Sequence, residues 1–314
     1  MQAEVQYQPA GAVADQYVPV AGEAGEGLIP CHASRPLDDP GEGIERVLVV
    51  VHGALRDADR YFAVASAAAE GDRSTLIVAP QFLAHVDRGV RKAAPAATLF
   101  WDVEGWKGGE PALGPAPVSS FTAMDCLLRQ LTESGRLAGG RKPAVVIIGN
   151  SAGGQYVNRY AAVGNAPDAL AERGISVRFV ISNPSTYLYF DHERPVAVPD
   201  VTGINRWRYG FDDPPAYVEG TPRQSLRRYV ARDVTIVLGS QDRDGASLLL
   251  EVNAAAMAQG ANRLERGISY GRYVLKLARQ AGLATSHQVI ELDGVSHSAS
   301  EVFSAPQVRS LLFG

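Results

Sequence analysis

The chain is 314 residues long, 46% hydrophobic and 20% charged, with a formal net charge of -4. That balance suits a folded domain with a substantial core, and it argues against a basic nucleic-acid binder or a protein made to sit on an anionic membrane. No apolar run approaches the ~18 residues needed to span a bilayer.

No basic segment followed by an apolar stretch opens the chain, so the expected location is the cytoplasm. The start Gln2-Ala3-Glu4-Val5-Gln6 reads equally as the mature end of an exported protein. Cys31 and Cys126 lie far apart and outside any metal-ligand spacing. They read as free thiols, with a single disulfide as the alternative. Oligomeric state is not written in the sequence.

Residues 1–40 are rich in Gly, Pro and Ala, with short extended pieces at 17–20 and 27–30 that resemble edge strands. Strand patterns then fall at 46–51, 75–80, 144–148, 177–181, 233–239 and 287–292. Helical patterns fall between and after them, at 58–70, 121–137, 152–163, 248–257, 262–279 and 300–312. Val47-Leu48-Val49-Val50-Val51 is apolar throughout, as a strand is when helices cover both faces of a parallel sheet. The expected fold is a doubly wound, mostly parallel α/β sheet in a single domain, 1–314.

Two segments break the alternation. Residues 83–120 hold Trp101 and Trp106 among many glycines and prolines. Residues 184–230 carry Tyr187, Tyr189, Phe190, Trp207, Tyr209, Phe211 and Tyr217, with a short helix around 223–230. Long excursions from the carboxyl ends of strands sit where open α/β folds bind ligands, so 184–230 reads as an inserted cap. An insert whose aromatics pack on one another is the alternative. As a cap, it places Tyr187, Tyr189 and Trp207, together with Leu55, in the substrate pocket.

The chemistry centres on Gly149-Asn150-Ser151-Ala152-Gly153, between an apolar strand and a helix. A serine at such a bend lifts its hydroxyl above the sheet, and flanking glycines clear the tight turn; this is the layout of a nucleophile elbow. A serine hydroxyl needs a base, itself oriented by a carboxylate. His297, after the last strand, is the best placed of six histidines. Asp242 follows the strand at 233–239 and a glycine turn, with Asp244 second and Asp293 third. The backbone N–H of Ala152 and that of Ala54, or alternatively Leu55, are the expected oxyanion donors. His52 reads as a structural loop residue. Arg56 reads as a solvated arginine at a helix start, or as a ligand for an anionic substrate group. Metal-ligand spacings, a P-loop and a strand-linked G-x-G-x-x-G are all missing.

With these pieces together, the chain resembles the α/β-hydrolase superfamily over roughly residues 46–314. The resemblance rests on His52-Gly53, Gly149–Gly154, Gly239-Ser240-Gln241-Asp242 and Gly294-Val295-Ser296-His297. Within the superfamily it is most similar to serine hydrolases carrying Asn183-Pro184-Ser185, Trp207-Arg208-Tyr209-Gly210 and Ala258-Gln259-Gly260 followed by Arg263. The resemblance implies a cofactor-free serine hydrolase acting on small-molecule carboxylic esters. Asn150 before the serine and the lack of an extended HGGG run depart from the lipase pattern, and tell against long-chain lipids. The expected preference is for short or aromatic acyl groups. An amidase or peptidase of the same fold, reading an amino terminus with Glu104, Asp191 or Glu193, is the alternative within enzymes. A non-catalytic ligand receptor is the alternative outside them.

Overall fold

The structure is a computed structural model that describes residues 8–133, 143–199 and 202–314. Its strands are β1 (Gln16–Gly22), β2 (Gly25–Ala33), β3 (Arg46–Val51), β4 (Thr75–Pro80), β5 (Ala144–Asn150), β6 (Val177–Ser182), β7 (Asp233–Gly239) and β8 (Gln288–Leu292). They form one sheet in the order β1-β2-β4-β3-β5-β6-β7-β8. The hairpin β1–β2 joins β4 antiparallel at one edge, and the remaining pairs are parallel.

The continuous apolar strands divide their side chains between two cores. Val47, Val49 and Val51 face one side, while Leu48 and Val50 face the other. The first core is closed by α3 (Ser120–Glu133), α4 (Ala152–Val163), α5 (Ala166–Glu172), α6 (Pro222–Ala231) and α8 (Arg263–Gln280). The second is closed by α1 (Ala58–Ala68), α9 (Ala299–Ser304) and α10 (Pro306–Phe313). Two single turns, α2 (Arg88–Arg91) and α7 (Ala254–Met257), complete the set among the described residues. This is the α/β architecture expected from the sequence.

Three departures have local causes. The single helix expected at 300–312 is two, because Pro306 holds Ala305 extended at φ −62° and ψ 133°. The helix expected at 248–257 shrinks to α7, since the Asn253 side chain caps it by accepting from the Ala256 N–H. Residues 134–137 of the helix expected at 121–137 lie outside the described residues.

The register brings the functional segments to one edge of the sheet. Val51 pairs with Gly149, Asn150 with Ser182, and Gly239 with Leu292. The loops leaving β3, β5, β7 and β8 therefore emerge side by side.

Candidate active site

Ser151 sits at φ 60° and ψ −120°, a positive φ costly for a residue with a side chain. Its N–H donates to the Ser182 carbonyl at 3.0 Å, which ties the bend to β6. The neighbouring glycines are there for space. A Cβ on Gly149 would fall 2.2 Å from the Gly153 carbonyl oxygen, and one on Gly153 would fall 2.2 Å from the Val51 oxygen. No side chain fits at either position, so α4 starts pressed against the end of β3. Ala152 opens that helix, where the N–H groups have no acceptor within the helix.

Ser151 and His297 line the same cleft, of about 170 Å³, together with Ala54, Leu55, Tyr61 and Leu249. The His297 ring reaches back from the loop after β8, and its Nδ1 lies 2.7 Å from Asp242 Oδ2. Asp242 is buried, its side chain 3% exposed, whereas the imidazole is 32% exposed. A serine and a histidine thus line one cleft, with a buried carboxylate bonded to the far side of the imidazole. Asp244 and Asp293, the sequence alternatives, bond elsewhere. Asp244 accepts from the Ala246 N–H, and Asp293 lies 3.5 Å from the Ser240 hydroxyl.

The loop after β3 is held rigid by two buried groups. Phe82 N–H donates to His52 Nε2 at 2.9 Å, so the ring proton sits on Nδ1 and donates to the Gly53 carbonyl at 2.8 Å. Burial pushes the His52 pKa down to about 4, and the ring is neutral. It is the structural residue that the sequence suggested.

Arg56 overturns its expected role. It is fully buried, its Nε 2.7 Å from Asp87 Oδ2 and its Nη2 3.0 Å from Oδ1. Nη1 also donates to the Ala54 carbonyl at 2.7 Å. In a trans peptide C=O and N–H point opposite ways. Fixing the Gly53 carbonyl therefore aims the Ala54 N–H, and fixing the Ala54 carbonyl aims the Leu55 N–H. The ion pair also grips the segment ahead of β1: Arg56 Nη2 donates to Gln8 O, and Asp87 Oδ1 accepts from Ala10 N–H. Gln81 bonds to Ala12, Ala14 and the Arg56 carbonyl.

A second group unforeseen as functional is an asparagine pair. Asn150 Nδ2 donates to the His297 carbonyl at 3.3 Å, while its Oδ1 accepts from the Ser182 hydroxyl and from Asn183. Asn183 in turn accepts from the Gly239 N–H. The ends of β5, β6 and β7 and the histidine loop are thereby joined. The signal was visible as Asn150 and Asn183, but neither residue type announces such a role.

The aromatics expected in the substrate pocket go elsewhere, and only Leu55 lines the cleft. Tyr187 and Tyr189 are fully buried, 4.4 Å from the Tyr270 ring and 4.5 Å from the Tyr273 ring. Trp207 donates from Nε1 to the Gly108 carbonyl. The backbone at Tyr187 and Leu188 bonds to Gln259 and Asn158, which draws this stretch into the core under α8. The cleft is instead bordered by Leu249 from the loop after β7, which is 39% exposed, and by Tyr61 and Val64 of α1.

That loop is anchored at Glu251, whose carboxylate accepts from Gln155 and Tyr209. Burial alone would raise its pKa, but Lys107, Arg208 and Arg159 outweigh burial and hold it down to about 2. Glu104 pairs with Lys107 and Arg208, and Glu193 with Lys276. Asp191 accepts from the Tyr273 hydroxyl and the Glu193 N–H. The carboxylates suggested for reading an amino terminus are thus engaged away from the cleft. Among the described residues no group of three or more His, Cys, Asp or Glu could hold a metal, both cysteines are free thiols, and no helix is long and apolar enough to cross a membrane.

A sequence model described as the alpha/beta hydrolase family matches residues 48–308. The chain belongs to that family. This alpha/beta hydrolase shares its fold with poly(aspartic acid) hydrolase-1 from Sphingomonas sp. KT-1, at 23% identity and a TM-score of 0.68, with 96% of this chain and 100% of that one covered. It is similar also to LpqC, a poly(3-hydroxybutyrate) depolymerase from Bordetella parapertussis, at 23% identity and a TM-score of 0.67, covering 96% and 90%. No curated protein matches this hydrolase in sequence.

Proposed function

We propose that the protein is a serine hydrolase that cleaves small carboxylic esters through an acyl-enzyme. The carrying observation is that His297, bonded to buried Asp242 at 2.7 Å, lines one cleft with the strained Ser151. In this reading His297 Nε2 takes the Ser151 proton as the hydroxyl oxygen attacks the ester carbonyl. Asp242 holds the Nδ1–H tautomer and stabilises the imidazolium. The Ala152 N–H, with that of Ala54 or Leu55, stabilises the oxyanion, each donor contributing on the order of 3 kcal/mol. His297 then protonates the departing alcohol. A water, deprotonated by the same imidazole, attacks the acyl-enzyme and releases acid and free Ser151.

Leu55 and Leu249 on the rim, with the small cleft volume, support short apolar acyl or alcohol groups. The aromatic preference loses its basis, because Tyr187 and Tyr189 are interior. Poly(3-hydroxybutyrate) is itself a polyester, so that fold neighbour accords with an ester substrate.

The test is labelling by a fluorophosphonate probe, with turnover of p-nitrophenyl acetate, butyrate and palmitate. Labelling and acetate or butyrate turnover that vanish together in Ser151→Ala are expected. Undiminished turnover in folded Ser151→Ala, or faster turnover of palmitate, refutes the corresponding part.

A further inference from the structure

Arg263 is poorly satisfied for a buried charge. It opens α8 directly after the Asn262 cap, and its side chain is 1% exposed. Nη1 lies 3.4 Å from Asp242 Oδ1, the oxygen that His297 does not use. Its Nε and Nη2 have no hydrogen-bond partner among the described residues. Buried donors without acceptors are destabilising, and burial lowers the guanidinium pKa even against the opposite pull of Asp242. A side chain so badly placed for stability, yet aimed at one carboxylate, is best explained by what its charge does there.

We propose that Arg263 is a positioning residue whose buried charge holds the Asp242 carboxylate in the place from which it orients the His297 ring. The inference rests on reading Ser151, His297 and Asp242 as the reacting set. Arg263 Nη1 takes Oδ1 while His297 Nδ1 faces Oδ2, so the two contacts together fix the plane of the carboxylate. Without the cation the carboxylate can turn, and the imidazole that leans on it loses its orientation.

Other charges surround the pair. Asp57 and Arg60 line the cleft from α1 and the turn before it. Asp244 and Glu251 act on Arg263 from the loop after β7. Asp293 lies beyond β8, and Glu301 on α9 bonds to Ser296. Arg266, further along α8, donates to the Ser185 carbonyl. Among the described residues, His297 and Arg263 are the side chains bonded to the Asp242 carboxylate.

The experiment measures kcat and KM on p-nitrophenyl acetate for the wild type, Arg263→Gln, Arg263→Met and Arg263→Lys, with circular dichroism to establish folding. Either neutral variant should lose about tenfold in kcat at little-changed KM, and Arg263→Lys should return most of it. The Met variant removes the unpartnered donors and should fold, so the test survives failure of the Gln variant. A folded neutral variant whose kcat equals that of the wild type, or a loss that Arg263→Lys does not repair, overturns the proposal. Failure of the underlying reading is distinct: the wild type then resists fluorophosphonate, or Ser151→Ala keeps its turnover.

Discussion

Arg56→Met isolates what the buried Arg56–Asp87 pair does. Both side chains are fully buried, and Arg56 makes two bonds to the carboxylate, one to the Ala54 carbonyl and one to Gln8 O. Removing the cation strands Asp87 with the N–H groups of Ala10 and Ala84 as remaining donors. Stranding one partner of a buried pair costs about 3–5 kcal/mol. At ~2 °C per kcal/mol for a chain of this size, Tm should fall by about 6–10 °C. Turnover should fall as well, because the Ala54–Leu55 peptide loses the bond that aims it. Loosening one oxyanion donor without deleting it should cost less than the ~100-fold of outright loss. The assay is urea unfolding and p-nitrophenyl ester turnover for Arg56→Met, Asp87→Asn and the double variant. The coupling energy should be about 2 kcal/mol or more, with the double variant milder than the sum. A cost below about 1 kcal/mol for Arg56→Met, or strict additivity in the cycle, refutes this account.

Acid stability should carry a signature of His52. Its folded pKa of about 4 lies below the ordinary value of 6.5, so the unfolded chain binds the extra proton first. Stability is therefore intact above pH 6.5 and declines as pH falls to 4, by about 3 kcal/mol in all. Urea midpoints at pH 7 and 4.5 should converge between wild type and His52→Gln as pH drops; parallel slopes would exclude this linkage. Gly153→Ala should be severe, because its Cβ would meet two backbone oxygens, of Val51 at 2.2 Å and of His52 at 2.7 Å, and neither can swing aside. At least about 3 kcal/mol of stability should be lost, and a variant with unchanged Tm and turnover would contradict the packing argument.

What was legible in the sequence was what local pattern controls. β3, β4 and β7 span the residues the pattern predicted, because strands covered on both faces read as nearly continuous apolar runs. Ser151 was legible through glycines whose absent side chains the turn requires. Asp242 and His297 followed from lying just beyond strands that share an edge. Roles set by partners distant in sequence were hidden. Arg56 next to a helix start looks solvated until Asp87, 31 residues on, closes over it. Leu248 and Leu249 sit in a helical pattern, yet Glu251 is drawn toward Gln155 and Tyr209 and the Asn253 cap starts the helix later. The tyrosines of 184–190 resembled a cap because composition does not say which way a segment turns; buried amides and α8 turn it inward.

The grip of Arg56 and Asp87 on residues 8–10 makes the segment ahead of β1 an outer wall of the loop after β3. Removing the residues ahead of β1 would leave Ser151, Asp242, His297 and the whole sheet intact, yet admit water to the guanidinium. Solvent there competes for the donors that fix the Ala54 carbonyl. Damage to this remote segment would thus register as slackness in the loop after β3 rather than as loss of fold.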